Sequence, residues 1–143
     1  MNNIRVLFIC YGNICRSPMA MFILRDLAKK RGLNIEIDSA ATSREELGND
    51  MYYLAKDILK TKGIAFSKHV ARVVTRKDLA DYDYIFCMEK RNKDDLEYLF
   101  GKDLVAKVKL LHSQDIIDPW YSRNFELAFS RIYNGCLNFL EKL

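Results

Sequence analysis

Residues 6–18 read VLFICYGNICRSP, and in them Cys10 is followed after five residues by Arg16, then by Ser17 and Pro18. An apolar run stops at the cysteine and a helix-like segment opens at Ser-Pro, so the residues between belong to a strand-to-helix loop. Such a loop curls its backbone N–H groups inward and makes a cradle for an anion, here drawn from Tyr11, Gly12, Asn13, Ile14, Cys15, Arg16 and Ser17. Gly12 permits tight curvature or a positive φ, and Asn13 is the next most tolerant type. Arg16 is expected at the rim, where its planar guanidinium clamps two oxygens of a phosphate. Cys10 is expected at the base, facing the helix N-terminus and Arg16, which favours thiolate over thiol. A tetrahedral dianion above an ionised sulfur is an arrangement for phosphoryl transfer to that sulfur. The competing reading is a buried, inert strand-end cysteine. The nucleotide loop GxxxxGK and the dinucleotide loop GxGxxG do not occur in the sequence.

Transfer from an aryl ester creates a second requirement. A phenolate, whose conjugate acid has a pKa of about 10, leaves slowly unless a proton arrives as the P–O bond breaks. Asp118, in a loop stiffened by Pro119, is the candidate general acid and then the base that activates water; a plain Asp-Pro turn is the alternative. Ser17 either donates its hydroxyl to the Cys10 sulfur or serves as a helix N-cap. Cys15, across the small loop from Cys10, offers a reversible disulfide against over-oxidation, or simply fills space. Tyr11, Ile14, Trp120 and Tyr121 suit the apolar walls of a deep slot for a planar ring, too deep for phosphoserine.

These residues need a scaffold, and the hydrophobic pattern supplies one. Ile4–Ile9 is a short apolar run fit for a buried strand, and a helical pattern runs from Pro18 to Gly32. Asn34–Ala40 alternates as a second strand, residues 41–49 are polar and irregular, and Met51–Lys62 is helical. A basic, polar stretch around residues 67–78 precedes a third strand, Tyr82–Met88. Residues 90–100 form a helix, Val105–Leu111 a fourth strand, and Phe125–Leu143 a last helix with one apolar stripe that includes Cys136. Strands alternating with helices predict an α/β fold: a three-layer, doubly wound sandwich with a parallel sheet covered on both faces. Ligands bind such sheets at the carboxyl ends of strands, where residues 10–17 fall.

Composition narrows the class. The chain has 143 residues, half of them hydrophobic, and fits one domain over 1–143. A net charge of +4 spread along the chain argues against a nucleic-acid partner. No apolar run approaches the roughly 18 residues of a membrane span, and the N-terminus lacks a secretory pattern. Four cysteines without a CxxC pair and two histidines suit neither a disulfide framework nor zinc, so reduced thiols, a cytoplasmic location and no metal are expected. Cys87 and Cys136 are expected in the core. A monomer is the default.

CYGNICRSP resembles the active-site loop of the low-molecular-weight protein tyrosine phosphatases. The likeness continues through IDSAATS (37–43), HVAR (69–72), DYDYIFCM (81–88), Asn92 and DPWY (118–121), in the order that family has. The resemblance implies a four-stranded parallel sheet, a phosphocysteine intermediate, no cofactor, and phosphotyrosine-containing proteins or peptides as substrates. It also implies that Asn13, Ser39 and His69 bond to one another and hold the loop's curvature. His112 is given no role, and Arg72 is read as a surface or structural charge. The chain departs from the family at Glu45, where an aromatic is common, with Arg44 and Glu46 beside it; Arg44 would favour acidic flanking sequence. The segment from Asp118 to Phe125 is also short.

Three rivals bracket this reading. Protein-arginine phosphatases resemble the loop but carry threonine where Ile14 stands. Thiol-coupled arsenate reductases relay electrons through neighbouring cysteines, and Cys87 has none nearby. A non-catalytic phosphate-binding module would need neither Cys10 nor Asp118.

Overall fold

The first strand, β1 (Ile4–Cys10), is apolar along most of its length because it is covered on both sides. A computed structural model of the chain describes residues 3–143. In it Val6 and Phe8 enter one hydrophobic cluster, while Leu7 and Ile9 enter another, as period-two alternation requires. The chain continues through α1 (Arg16–Lys30), β2 (Ile35–Ala41), α2 (Tyr53–Thr61), α3 (Arg76–Asp81), β3 (Tyr84–Cys87) and α4 (Lys90–Phe100). It ends with α5 (Lys102–Val105), β4 (Val108–Leu110), α6 (Pro119–Ser122) and α7 (Phe125–Lys142). The Val6/Phe8 face packs on residues of α1, α2 and α7, and the Leu7/Ile9 face on Leu79 of α3, Leu96 of α4 and Val105 of α5.

The four strands lie in the order β2-β1-β3-β4 and every pair is parallel. The expected three-layer α/β sheet is therefore present. Because β1 pairs with β2 on one side and β3 on the other, strand order reverses at its carboxyl end, the position where open sheets bind ligands. Among the described residues no helix is long and apolar enough to cross a membrane.

The third strand covers only Tyr84–Cys87 and α6 forms within the loop that follows Asp118; the structure departs from the sequence pattern in three further places. The basic stretch contains α3, started by a capping box in which Thr75 Oγ1 accepts from Asp78 N at 3.1 Å and Asp78 Oδ2 accepts from Thr75 N at 2.8 Å. The fourth strand is shorter than Val105–Leu111, because Val105 closes α5 instead. Ser17 is not an N-cap: α1 starts at Arg16 with Cys15 in the cap position, and Ser17 is buried in the first turn with its side chain turned toward the loop.

Candidate active site

β1 delivers Cys10 to the rim of the sheet, and α1 begins six residues later, so the loop must reverse in very little chain. Three groups converge on the Cys10 sulfur. The backbone N–H groups of Asn13 and Ser17 point at it from 3.2 and 3.4 Å, and Ser17 Oγ lies 3.0 Å away. The Asn13 amide fixes which way the Ser17 proton points. Its Oδ1 accepts from Arg72 N at 3.1 Å, so its Nδ2 is the end that donates to Ser17 Oγ at 2.7 Å and to Ser39 Oγ at 3.0 Å. Ser17 Oγ thus accepts from Asn13, and its own hydrogen is free for the sulfur.

Asn13, fully buried, holds the turn. Its φ of 62° lies in the left-handed region, whereas Gly12 is not among the positive-φ residues. Of the two residues tolerant of such an angle, Asn13 adopts it, and Gly12 is left the role of tight curvature. An added Cβ at Gly12 would only make ordinary contact with Glu46 Cγ at 3.4 Å. Asparagine fits the left-handed position because its short amide can bond locally.

His69 closes the network. Its Nε2 lies 2.9 Å from Asn13 O and 3.2 Å from Asn13 Oδ1, both acceptors, which makes Nε2 the protonated nitrogen. It reaches the loop because residues 69–74 run beside the end of β2, with Ala41 N donating to Arg72 O and Val74 N to Ala41 O. Arg72 itself is structural: its guanidinium pairs with Asp78 at 2.8 Å and Asp38 at 3.1 Å while its amide braces Asn13. Asp50 accepts from the His69 and Met51 amides and from Lys56. Burial pushes the Asp50 carboxyl up, but these bonds outweigh it and hold it at about 2.

Burial lowers the His69 pKa from 6.5; its bond to Asn13 and the charges of Asp38 and Asp50 oppose this, and Arg25 adds to it. The unfolded chain therefore takes up this proton more readily than the folded one, and stability falls as pH drops below 6.5. The denaturant midpoint should decline from about pH 6.5 toward pH 5, and His69→Gln should flatten that decline. Asp50 titrates too low to contribute in this window. An unaltered slope in His69→Gln would contradict the assignment.

Arg16 occupies a different place from the rim expected of it. Its side chain is 1% exposed and forms a wall of the site, donating through Nη1 to Ile116 O at 2.9 Å and lying 3.2 Å from Glu89 Oε1. Nη2 is 3.5 Å from Asp118 Oδ2. Burial alone lowers the guanidinium pKa, but negative charge at Cys10, Asp118 and Glu89 outweighs it and raises it. Glu89 was not singled out in the sequence. The signal for it was indirect: it precedes α4 in a tight turn where Asn92 Oδ1 accepts from the Met88 and Glu89 amides, at 3.1 and 3.0 Å.

Asp118 is the N-cap of α6, its Oδ1 accepting from Trp120 N at 3.0 Å. The helix is too short to hold itself, and Arg123 fastens it. In the left-handed conformation (φ 61°), Arg123 donates to Trp120 O at 3.3 Å and Tyr52 Oη at 2.9 Å and stacks over the Tyr52 ring at 5.4 Å. Trp120 meets the same ring edge-on at 4.6 Å.

One pocket gathers Cys10 through Arg16 with Glu45, Glu46, Asp118, Trp120 and Tyr121. Tyr11 donates its hydroxyl to Glu45 at 2.7 Å, a bond that raises the Tyr11 pKa. Arg44 is exposed beside Glu45 but does not line the pocket, where the charges presented are Glu45 and Glu46. Cys15 is buried in the same pocket, its thiol pKa raised by burial and by the charges of Cys10 and Asp118. Cys87 in β3 and Cys136 in α7 are wholly buried, and burial pushes the Cys87 thiol up to about 12. His112 lies apart, its Nδ1 accepting from Gln114 N. Among the described residues no group of His, Cys, Asp and Glu is placed to hold a metal ion.

Comparison with known proteins agrees with this geometry. A family model described as low molecular weight phosphotyrosine protein phosphatase matches residues 5–143. The human low molecular weight phosphotyrosine protein phosphatase is 42% identical, over 96% of this chain and 94% of its own length. The crystal structure of YfkJ from Bacillus subtilis superposes with a TM-score of 0.94 at 39% identity, covering 99% of this chain and 95% of that one. A Drosophila arginine phosphatase has a TM-score of 0.88 at 32% identity, with 96% of each chain covered. With both the loop and the whole sheet accounted for, the chain belongs to the low molecular weight phosphotyrosine protein phosphatase family.

Proposed function

We propose that residues 1–143 form a single phosphatase domain that hydrolyses phosphotyrosine and other aryl phosphate monoesters through a phosphocysteine on Cys10. The observation that carries this reading is the sulfur at the base of a pocket, with three hydrogen-bond donors aimed at it and Arg16 and Asp118 in the wall above. Those donors stabilise negative charge on sulfur, and the remaining loop amides and Arg16 receive the phosphate oxygens. The Cys10 sulfur attacks phosphorus as the P–O bond to the phenol breaks, and Asp118 gives its proton to the departing oxygen. Asp118, now a carboxylate, takes a proton from water as that water attacks the phosphocysteine. Inorganic phosphate leaves, and the sulfur recovers its electron pair, helped by the Ser17 hydroxyl.

Asn13, Ser17, Ser39 and His69 hold the loop in shape through their side chains. Tyr11, Ile14, Trp120 and Tyr121 provide the ring slot, and Glu45 braces it through Tyr11. Where a peroxide has oxidised the Cys10 sulfur to a sulfenic acid, the Cys15 thiol displaces water from it to give a reversible Cys10–Cys15 disulfide. No cofactor, nucleic acid or membrane enters the scheme, and a monomer suffices because one chain supplies the whole pocket. Four free thiols support a cytoplasmic location.

The fold is shared with a Drosophila arginine phosphatase, and the carboxylates of Glu45 and Glu46 at the pocket keep a phosphoarginine substrate as the second reading. Against it stands Ile14, apolar and nearly buried in the loop, which offers a guanidinium nothing to bond. Phosphate release from matched phosphotyrosine and phosphoarginine peptides separates the two. Phosphotyrosine should be turned over faster by tenfold or more, about 1.4 kcal/mol in transition-state binding, and Ile14→Thr should narrow the gap. Faster release from phosphoarginine would reverse the assignment.

A further inference from the structure

We propose that the mouth of the pocket selects phosphotyrosine peptides with a split charge pattern, an acidic side chain on one flank against Arg91 and a basic one on the other against Glu45 and Glu46. This rests on the phosphotyrosine reading above and adds to it the class of peptide that is favoured.

A second hollow adjoins the catalytic pocket and shares Tyr11, Arg16, Asp118 and Tyr121 with it. Its own lining adds Glu89, Arg91 and Ile117. Tyr11 lines both hollows, and its hydroxyl donates to Glu45 at 2.7 Å. The two carboxylates of the second hollow are already engaged by Arg16, Glu89 at 3.2 Å and Asp118 at 3.5 Å. Arg91, exposed in the first turn of α4, joins no ion pair among the described residues. It is therefore the free charge on that side.

The first hollow has the opposite character. The Glu45 carboxylate accepts from Tyr11 at 2.7 Å while its backbone N–H donates to Ser43 Oγ at 3.4 Å, and Glu46 accepts from Asn49 Nδ2 at 3.2 Å. Neither carboxylate meets a lysine or arginine within ion-pair distance among the described residues, and both line the pocket, which Arg91 does not. An extended peptide advances about 3.3 Å per residue, so a phosphotyrosine that fills the first hollow over Cys10 places one near neighbour beside the Glu45 and Glu46 edge of that hollow and another over the second hollow. Exposed charges of this kind act weakly on affinity and more on selection, and salt screens them. The expected effect is accordingly a few-fold change in kcat/KM, carried mostly by KM.

The test uses the intact protein and four phosphotyrosine peptides of equal length: acidic before and basic after the tyrosine, the reverse order, acidic on both flanks, and basic on both. At low ionic strength one of the two split peptides should exceed both uniform ones by about three- to tenfold in kcat/KM, and about 0.5 M salt should erase most of the difference. Arg91→Glu should remove that preference and bring the basic-flanked peptide to the front. Its turnover of a small aryl phosphate, which does not reach Arg91, should stay unchanged. Equal rates for all four peptides, or a preference that survives Arg91→Glu, would overturn the inference while leaving the phosphatase reading intact. No turnover of the small aryl phosphate by the unaltered protein would overturn both.

Discussion

Cys10→Ser removes aryl phosphate turnover by about four orders of magnitude or more while the folded protein still binds inorganic phosphate. A serine hydroxyl keeps its proton at neutral pH, and none of the groups around position 10 is a base that would take it. The neighbours are two backbone N–H groups and a serine hydroxyl whose oxygen already accepts from Asn13. They stabilise negative charge on an atom at position 10; none of them can take a proton from a hydroxyl. The cradle does not depend on the sulfur, because Asn13 is held by Arg72 N, His69, Ser39 and Ser17. Phosphate release and phosphate binding by calorimetry, with circular dichroism to verify the fold, check both halves. Turnover within tenfold of the unaltered protein would place the nucleophile elsewhere.

Asp118→Asn produces the second large loss, and its signature is dependence on the leaving group. For a phenol whose pKa is near 10 the fall in kcat/KM should be about 10²–10⁴-fold, and it should shrink steadily as the phenol becomes more acidic. Asparagine is a competent N-cap, so it can keep the bond to Trp120 N and leave α6 in place. The substitution therefore removes the proton and spares the geometry. A series of substituted phenyl phosphates measures the slope. An identical loss for every phenol would mean that Asp118 positions Arg16, 3.5 Å away, and is not the acid.

Much of this was open to reading from residue order. Cys10, Arg16 and Ser17 could be placed because a continuous apolar strand and a helix start bracket them, and both have strong local signatures. The role of Asn13 was legible only in part. Asparagine and glycine both tolerate the left-handed turn, and choosing between Gly12 and Asn13 needs Arg72 and His69, distant in sequence, to grip the Asn13 amide. The burial of Arg16 was hidden for a related reason. An arginine beside a phosphate loop suggests a solvent-facing clamp, and nothing local announces that Ile116 O and Glu89 will enclose it. The start of α3 was missed although Thr75 and Asp78 have capping-box spacing, because the basic residues around them lack an apolar face. The Arg123 clamp depends on Tyr52, which no pattern near Asp118 reveals.

The sulfur and the carboxylate are anchored with unequal firmness. Ser17 and Arg16 belong to a fifteen-residue helix sunk in the hydrophobic interior, whereas Asp118, Trp120 and Tyr121 ride on one turn of helix held by Arg123, the Trp120–Tyr52 contact and the buried Pro119. The two halves of the reaction can thus be altered independently. Residues 120–123 could be lengthened, shortened or exchanged to suit another substrate without disturbing bond-making at sulfur, so an engineer seeking new selectivity should begin there and leave the interior alone.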